Sequence, residues 1–180
     1  DVYKRQSLYL FPRGEDFSDV AVYERYDDLS GVNTQYWPYG DLGGVSSQNP
    51  YWIMNRMNRE NDRRRYKLAA SLQYNIIEGL NVQGRVSIDN TESKYTEKFH
   101  AGTVGNFAGP KGRYKEENRL DRQVYADVLV NFNKTFNEFN VTANLGASIK
   151  DLRMELTSLH GDLNNVTNHF TIENLTRSGY

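Results

Sequence analysis

Hydrophobic and polar residues alternate through the segment RRYKLAASLQYNIIEGLNVQGRVSID, residues 64–89. Tyr66, Leu68, Ala70, Leu72 and Tyr74 fall on one face of an extended chain; Arg65, Lys67, Ala69, Ser71, Gln73 and Asn75 fall on the other. After IIEG the alternation resumes, with Leu80, Val82, Val86 and Ile88 set against Asn81, Gln83, Arg85 and Asp89. A period of two marks a strand with one apolar and one wetted face. The pattern returns in Val124, Ala126, Val128, Val130 and Phe132, opposed by Gln123, Tyr125, Asp127, Asn131 and Asn133, with Leu129 the exception. It returns again in Phe139, Val141, Ala143, Leu145, Ala147 and Ile149, opposed by Asn140, Thr142, Asn144, Ser148 and Lys150. Four strands are predicted at about 64–75, 80–99, 120–134 and 139–150, paired as two hairpins. The second runs to residue 99 through a polar continuation.

The faces constrain the turns. Both apolar sets of the first hairpin are even-numbered, so its loop needs an odd number of residues: Ile77-Glu78-Gly79, with Gly79 left-handed in a bulged turn. The apolar sets of the second hairpin are even and then odd, which needs an even loop. Residues 7–63, 100–119 and 151–180 lack sustained alternation and read as long loops rich in Gly, Pro, Ser and aromatic residues. No helix is predicted. Short turns thus lie at one end of the strands and long polar connections at the other.

The apolar faces could meet a protein core or lipid, and composition narrows the choice little. The chain has 180 residues, a net charge of -1 and 38% hydrophobic residues. No apolar run approaches the roughly 20 residues of a membrane-spanning helix, but membrane β-strands are half polar and escape that test. The charge balance gives no basic patch, so no nucleic-acid partner is expected. There is no Cys, hence no disulfide framework or thiolate chemistry. A soluble β-sandwich would alternate in the same way. Three features favour lipid. Tyr66 and Tyr74 bracket Leu68 and Leu72 at a separation that projects to about 20 Å in a tilted strand, near the roughly 25 Å apolar band of membrane barrels. The opposite faces hold Lys67, Arg85, Asp89, Asp127 and Lys150, which a water-filled lumen would solvate. Ala and Gly recur on the apolar faces, where lipid adapts to them more readily than a close-packed core.

The ordered set SLYLFPRGEDF, NPYWIMNRMNREND, LNVQGRVSID, GPKGRY and YADVLVNFNKTFNEFNVTANLGASI resembles the SusC/RagA family of TonB-dependent outer-membrane transporters, over nearly all of residues 7–150. The resemblance implies a large transmembrane β-barrel of a Gram-negative outer membrane, holding an N-terminal plug and energised through TonB. It also implies a SusD-like surface lipoprotein partner and import of oligosaccharides or peptides, the glycan or peptide substrate being delivered by that lipoprotein. The chain is then an all-β slice of the barrel wall, with 7–63 an extracellular loop region, 100–119 an extracellular loop and 151–180 the start of the next. The opening DVYKRQ resembles adaptor read-through, so residues 1–6 are set aside as foreign to the fold. On this reading Tyr66, Leu68, Leu72, Tyr74, Val82, Val86, Ile88, Val124, Val128, Val130, Phe132, Val141, Leu145 and Ile149 face outer-membrane lipid. Lys67, Gln73, Gln83, Arg85, Asp89, Asp127, Asn131 and Asn144 face the lumen. The alternative is a secreted, soluble β-sandwich that binds carbohydrate.

Candidate chemistry is sparse. Trp37, Tyr39, Tyr51 and Trp52 could stack on a ligand or touch a lid protein, although aromatics in compact loops more commonly build the loop's own core. Arg63, Arg64 and Arg65 begin the first strand and read either as solvated charge or as a contact to headgroup phosphates. His100, His160 and His169 share no ligand spacing, so no metal is assigned. No carboxylate pair stands out for acid–base work, and neither an enzymatic activity nor a cofactor is expected.

Overall fold

The computed structural model describes Tyr9 and residues 11–39 and 48–176; the set-aside residues 1–6 lie outside these. The described elements are β1 (Glu24–Asp27), β2 (Val32–Gln35), a helix α1 (Pro50–Arg56), and four long strands: β3 (Met57–Ile77), β4 (Leu80–His100), β5 (Gly112–Phe136) and β6 (Phe139–Asp162). Short 3-10 turns lie at Phe17–Ala21 and Ile172–Asn174. β1 and β2 form an antiparallel hairpin, and the long strands form one sheet in the order β3-β4-β5-β6. Strands hold 64% of the structure against one helix, so the class is all-β.

Every long strand outruns its alternating segment. The added parts are polar on both faces, as in MNREND (57–62) and GRYKEEN (112–118), so no period of two announces them. β6 is lost to the sequence for another reason. Its apolar residues are odd-numbered up to Ile149 and even-numbered at Leu152, Met154 and Leu156, so the phase slips at Lys150-Asp151 and the strand reads as two unrelated pieces. The predicted loop 151–180 therefore opens as twelve further residues of strand, 151–162.

The helix α1 is a correction. Asn49 caps it, its side chain accepting from the Tyr51 N–H at 2.9 Å while Pro50 occupies the first turn. Asn before Pro is a helix-start signal, since the cap needs a short acceptor and Pro brings its φ preset. At seven residues the helix is too short to show a 3.6-residue period.

The chain divides into two compact units. One comprises residues 1–61, 94–117 and 158–180; the other comprises 62–93 and 118–157. The first has a hydrophobic core: Trp52, Ile53, Met57, Phe99 and Ala108, with Tyr23 and Phe107 packed against it. The second is sheet alone. Among the described residues every buried hydrophobic side chain belongs to the first unit.

In the second unit β3 ends at Ile77 and β4 starts at Leu80, so Glu78-Gly79 joins them, two residues where the faces predicted the three of Ile77-Glu78-Gly79, whereas the loop between β5 and β6 is even as predicted. Gly79 has φ +82°, and a Cβ there would lie 2.2 Å from the Asn133 carbonyl oxygen, so the turn requires glycine. The ion pair Arg65–Asp89 joins two odd-numbered residues across β3 and β4, so the predicted faces stand although the connecting loop is shorter than predicted. β5 and β6 are joined by Asn137-Glu138, an even loop with Asn137 at φ 53°. Leu129, the apolar exception on the polar face of β5, sits over Gly146, where no side chain competes for the space.

Candidate functional surface

Alternation places Asn81, Arg85, Asp89, Tyr125, Asp127 and Asn131 on one face of the sheet, and their contacts agree. Arg85 Nε donates to both carboxylate oxygens of Asp127, at 2.9 and 3.1 Å. Arg65 donates through Nε and Nη2 to Asp89, at 2.9 and 2.6 Å. Asn131 Nδ2 donates to Asn81 Oδ1 at 2.9 Å. Of the residues assigned to this face, Asp127 is buried, Gln83, Asp89 and Asn131 are half-buried, and Lys67, Gln73, Arg85 and Asn144 are exposed. Arg65 and Asn81 complete the pairs and were absent from that assignment; each is the odd-numbered residue facing a partner across one strand. The small side chains of Ala69, Ser71 and Ser87 leave a shallow depression of about 450 Å³, bordered by Lys67, Arg85 and Tyr125. It offers ammonium, guanidinium and hydroxyl donors to water or a polar solute.

The opposite face carries the apolar set. Tyr66, Leu68, Leu72, Tyr74, Val86, Val128, Val141, Leu145 and Ile149 are exposed, with Leu72 and Leu145 each 76% accessible. Val82, Ile88, Val124, Val130 and Phe132 are half-buried, since β4 and β5 have neighbours on both sides. On β3, β4 and β5 the alternating apolar positions end within the second unit. They span residues 66–76, 80–88 and 124–132, with Lys134 next on the face of β5, and beyond them the same face continues with Arg64, Asn90 and Arg122; on β6 they span 139–149 and resume after the phase slip at the exposed Leu152, Met154 and Leu156.

The aromatic candidates separate. Trp52 is 1% exposed in the core of the first unit, and its indole N–H donates to Thr103 Oγ1 at 3.1 Å. Its ring has no free face, so it is corrected from a ligand contact to a structural residue. Tyr51 is half-buried on α1. Trp37 and Tyr39 are half-buried and meet edge to face at 5.2 Å, and Tyr39 meets Phe11 at 4.7 Å. Two contacts of the first unit gave no sequence signal because they depend on chain reversals. Arg56 holds Glu24 through two hydrogen bonds, at 2.8 and 3.0 Å. The Arg25 guanidinium lies 3.3 Å over the Tyr36 ring.

His100 shares its ring nitrogen Nδ1 with the Arg56 carbonyl at 3.0 Å and meets the Phe170 ring edge to face at 5.0 Å. Burial holds its pKa below the ordinary histidine value, against the opposing pull of that carbonyl. Burial also pushes the Tyr114 hydroxyl up to about 12, helped by its 2.8 Å hydrogen bond to Glu116. Asn174 is buried with all four bonding positions used: Oδ1 accepts from Asn165 and Val166, and Nδ2 donates to the carbonyls of Val166 and His169. Both His100 and Asn174 serve structure here. Among the described residues no cluster of His, Cys, Asp or Glu is arranged to hold a metal ion.

No protein-family model matches the chain, and comparison with curated proteins finds no match.

Proposed function

We propose that the four long strands are part of the wall of a transmembrane β-barrel, and that the protein they belong to is a TonB-dependent outer-membrane transporter. It imports oligosaccharides or peptides with a SusD-like lipoprotein at the cell surface. The observation that carries the wall reading is an apolar sheet face left exposed by the described residues, backed by a polar face with charges paired across strands. A soluble sandwich lays a second sheet on such a face to form its core. Here the second unit contains no buried hydrophobic residue among those described, and Leu72 and Leu145 are largely bare. The alternating apolar stretches 66–76, 80–88, 124–132 and 139–149 are close to the ~9–11 residues that a tilted strand needs to cross a bilayer. Ion pairs such as Arg65–Asp89 and Arg85–Asp127 suit a wet lumen, where their exposed guanidinium groups keep their water. The transporter class, its substrate and its partner rest on the sequence resemblance.

The chain has no Cys, so single cysteines report position cleanly. Spin labels on Leu68→Cys, Leu72→Cys and Leu145→Cys in phospholipid vesicles should meet dissolved oxygen. Labels on Lys67→Cys, Gln73→Cys and Asn144→Cys should meet a water-soluble nickel chelate. Equal accessibility of the two sets ends the barrel reading. The transport reading is tested in cells carrying the whole gene: uptake of oligosaccharide or peptide should stop when TonB is deleted. Uptake that persists without TonB overturns it.

A further inference from the structure

The arginines of the second unit lie on both faces; Arg153 holds Glu155, and Arg63, on the polar face by alternation with Arg65, forms no ion pair among the described residues. Arg65, Arg85 and Arg119 lie on the polar face and hold Asp89, Asp127 and Asp121. Arg64 and Arg122 lie on the apolar face, by alternation with Tyr66 and with Val124. Both are exposed, and neither has a hydrogen bond or an ion pair among the described residues. Each is the first charged residue on that face beyond the N-terminal end of its strand's apolar stretch. Asp62 and Glu92 share the face farther along; Glu92 accepts from Asn90, and Asp62 forms no ion pair among the described residues. Two guanidinium groups therefore border an apolar surface with their donors unspent.

We propose that Arg64 and Arg122 bind the phosphates of anionic lipid headgroups, which makes this edge of the apolar face an anionic-lipid site. The inference rests on the reading of that face as lipid-exposed. A guanidinium presents planar paired donors that match phosphate oxygens. At a membrane surface each such residue strengthens attraction to anionic lipid by about fivefold. A lipid supplies the apolar chains for Tyr66 and Val124 and the phosphate for the arginines in one molecule. Free phosphate supplies only the second.

The test uses the full chain refolded into phosphatidylcholine vesicles, with and without bisphosphorylated lipid A. Binding of lipid A is read by native mass spectrometry and by its effect on urea unfolding. The expected result is that R64Q/R122Q inserts normally but binds lipid A about 25-fold more weakly than the unsubstituted chain. Arg63→Gln, an equal charge change per site on the polar face, should bind as the unsubstituted chain does, and inorganic phosphate should not displace the lipid. Equal losses in both variants, or lipid A binding unchanged in R64Q/R122Q despite normal insertion, overturn the inference and leave the wall reading intact. Failure of the unsubstituted chain to insert into either vesicle overturns both.

Discussion

At the residue scale the separation is between side chains that hold the first unit together and those that face outward. Trp52 is the clearest of the former. Trp52→Ala removes a large buried ring and is expected to cost ~3–5 kcal/mol. Trp52→Phe keeps most of the packing and leaves Thr103 without its donor, which costs about 1 kcal/mol. Urea titration in detergent micelles, followed by far-ultraviolet circular dichroism, should give that order; equal midpoints would remove Trp52 from the core. His100 gives a pH dependence with a definite sign. Its folded pKa is lowered by burial, so between that value and about 6.5 the unfolded chain binds the proton more readily. Its contribution is complete above about 6.5 and is lost as pH falls through the folded pKa. The urea midpoint should therefore fall on acidification from neutral pH, and the fall should be shallower in His100→Gln. An equal slope in both proteins would assign the effect to other groups.

At the element scale the hairpins combine local turn chemistry with cross-strand pairing. Gly79→Ala places a methyl group against the Asn133 carbonyl and forces a side chain into left-handed backbone. A loss of more than about 1 kcal/mol is expected, because Ala tolerates neither condition. A stability equal to that of the unsubstituted chain would mean that the turn can rebuild. Across β4 and β5, Arg85 and Asp127 are expected to couple: Arg85→Ala and Asp127→Ala should each destabilise, and the double substitution should cost less than the two together. Strict additivity in that cycle would show that the pair contributes nothing as a pair. The faces of both hairpins and the even loop of the second were legible in the sequence because one-residue slips exchange the faces of a strand, while the loop of the first came out one residue shorter than predicted. The polar starts of β3 and β5 were not legible, since strands wetted on both faces carry no period, whereas the polar continuation of β4 was followed to residue 99, one short of its end. Helix α1 was marked by Asn49-Pro50, a signal outweighed by the surrounding aromatic and glycine-rich stretch.

At the scale of the whole molecule the sheet leaves two kinds of surface open. β3 and β6 are edge strands with neighbours on one side only, and an exposed edge beside an apolar face invites association. In dilute aqueous buffer without detergent the chain is expected to aggregate, whereas refolding into micelles should give a stable β-rich species. Light scattering and circular dichroism after dilution from urea distinguish these outcomes. A monomer in plain buffer with a cooperative melting transition would argue for a self-sufficient soluble fold.

By itself the sequence determined the features set by local chemistry: the strands at 64–75, 80–99, 120–134 and 139–150, the assignment of residues to opposite faces, and the left-handed glycine of the first turn. All three rest on the period of two and on the backbone freedom of Gly79. Only the tertiary structure decided which of those apolar residues are covered. It buried Trp52 among Ile53, Met57 and Phe99, and left Leu72 and Leu145 bare. It also joined Arg85 to Asp127 and left Arg64 and Arg122 without carboxylates. Burial and pairing depend on what distant parts of the chain bring alongside a residue, and alternation along one strand carries no record of that.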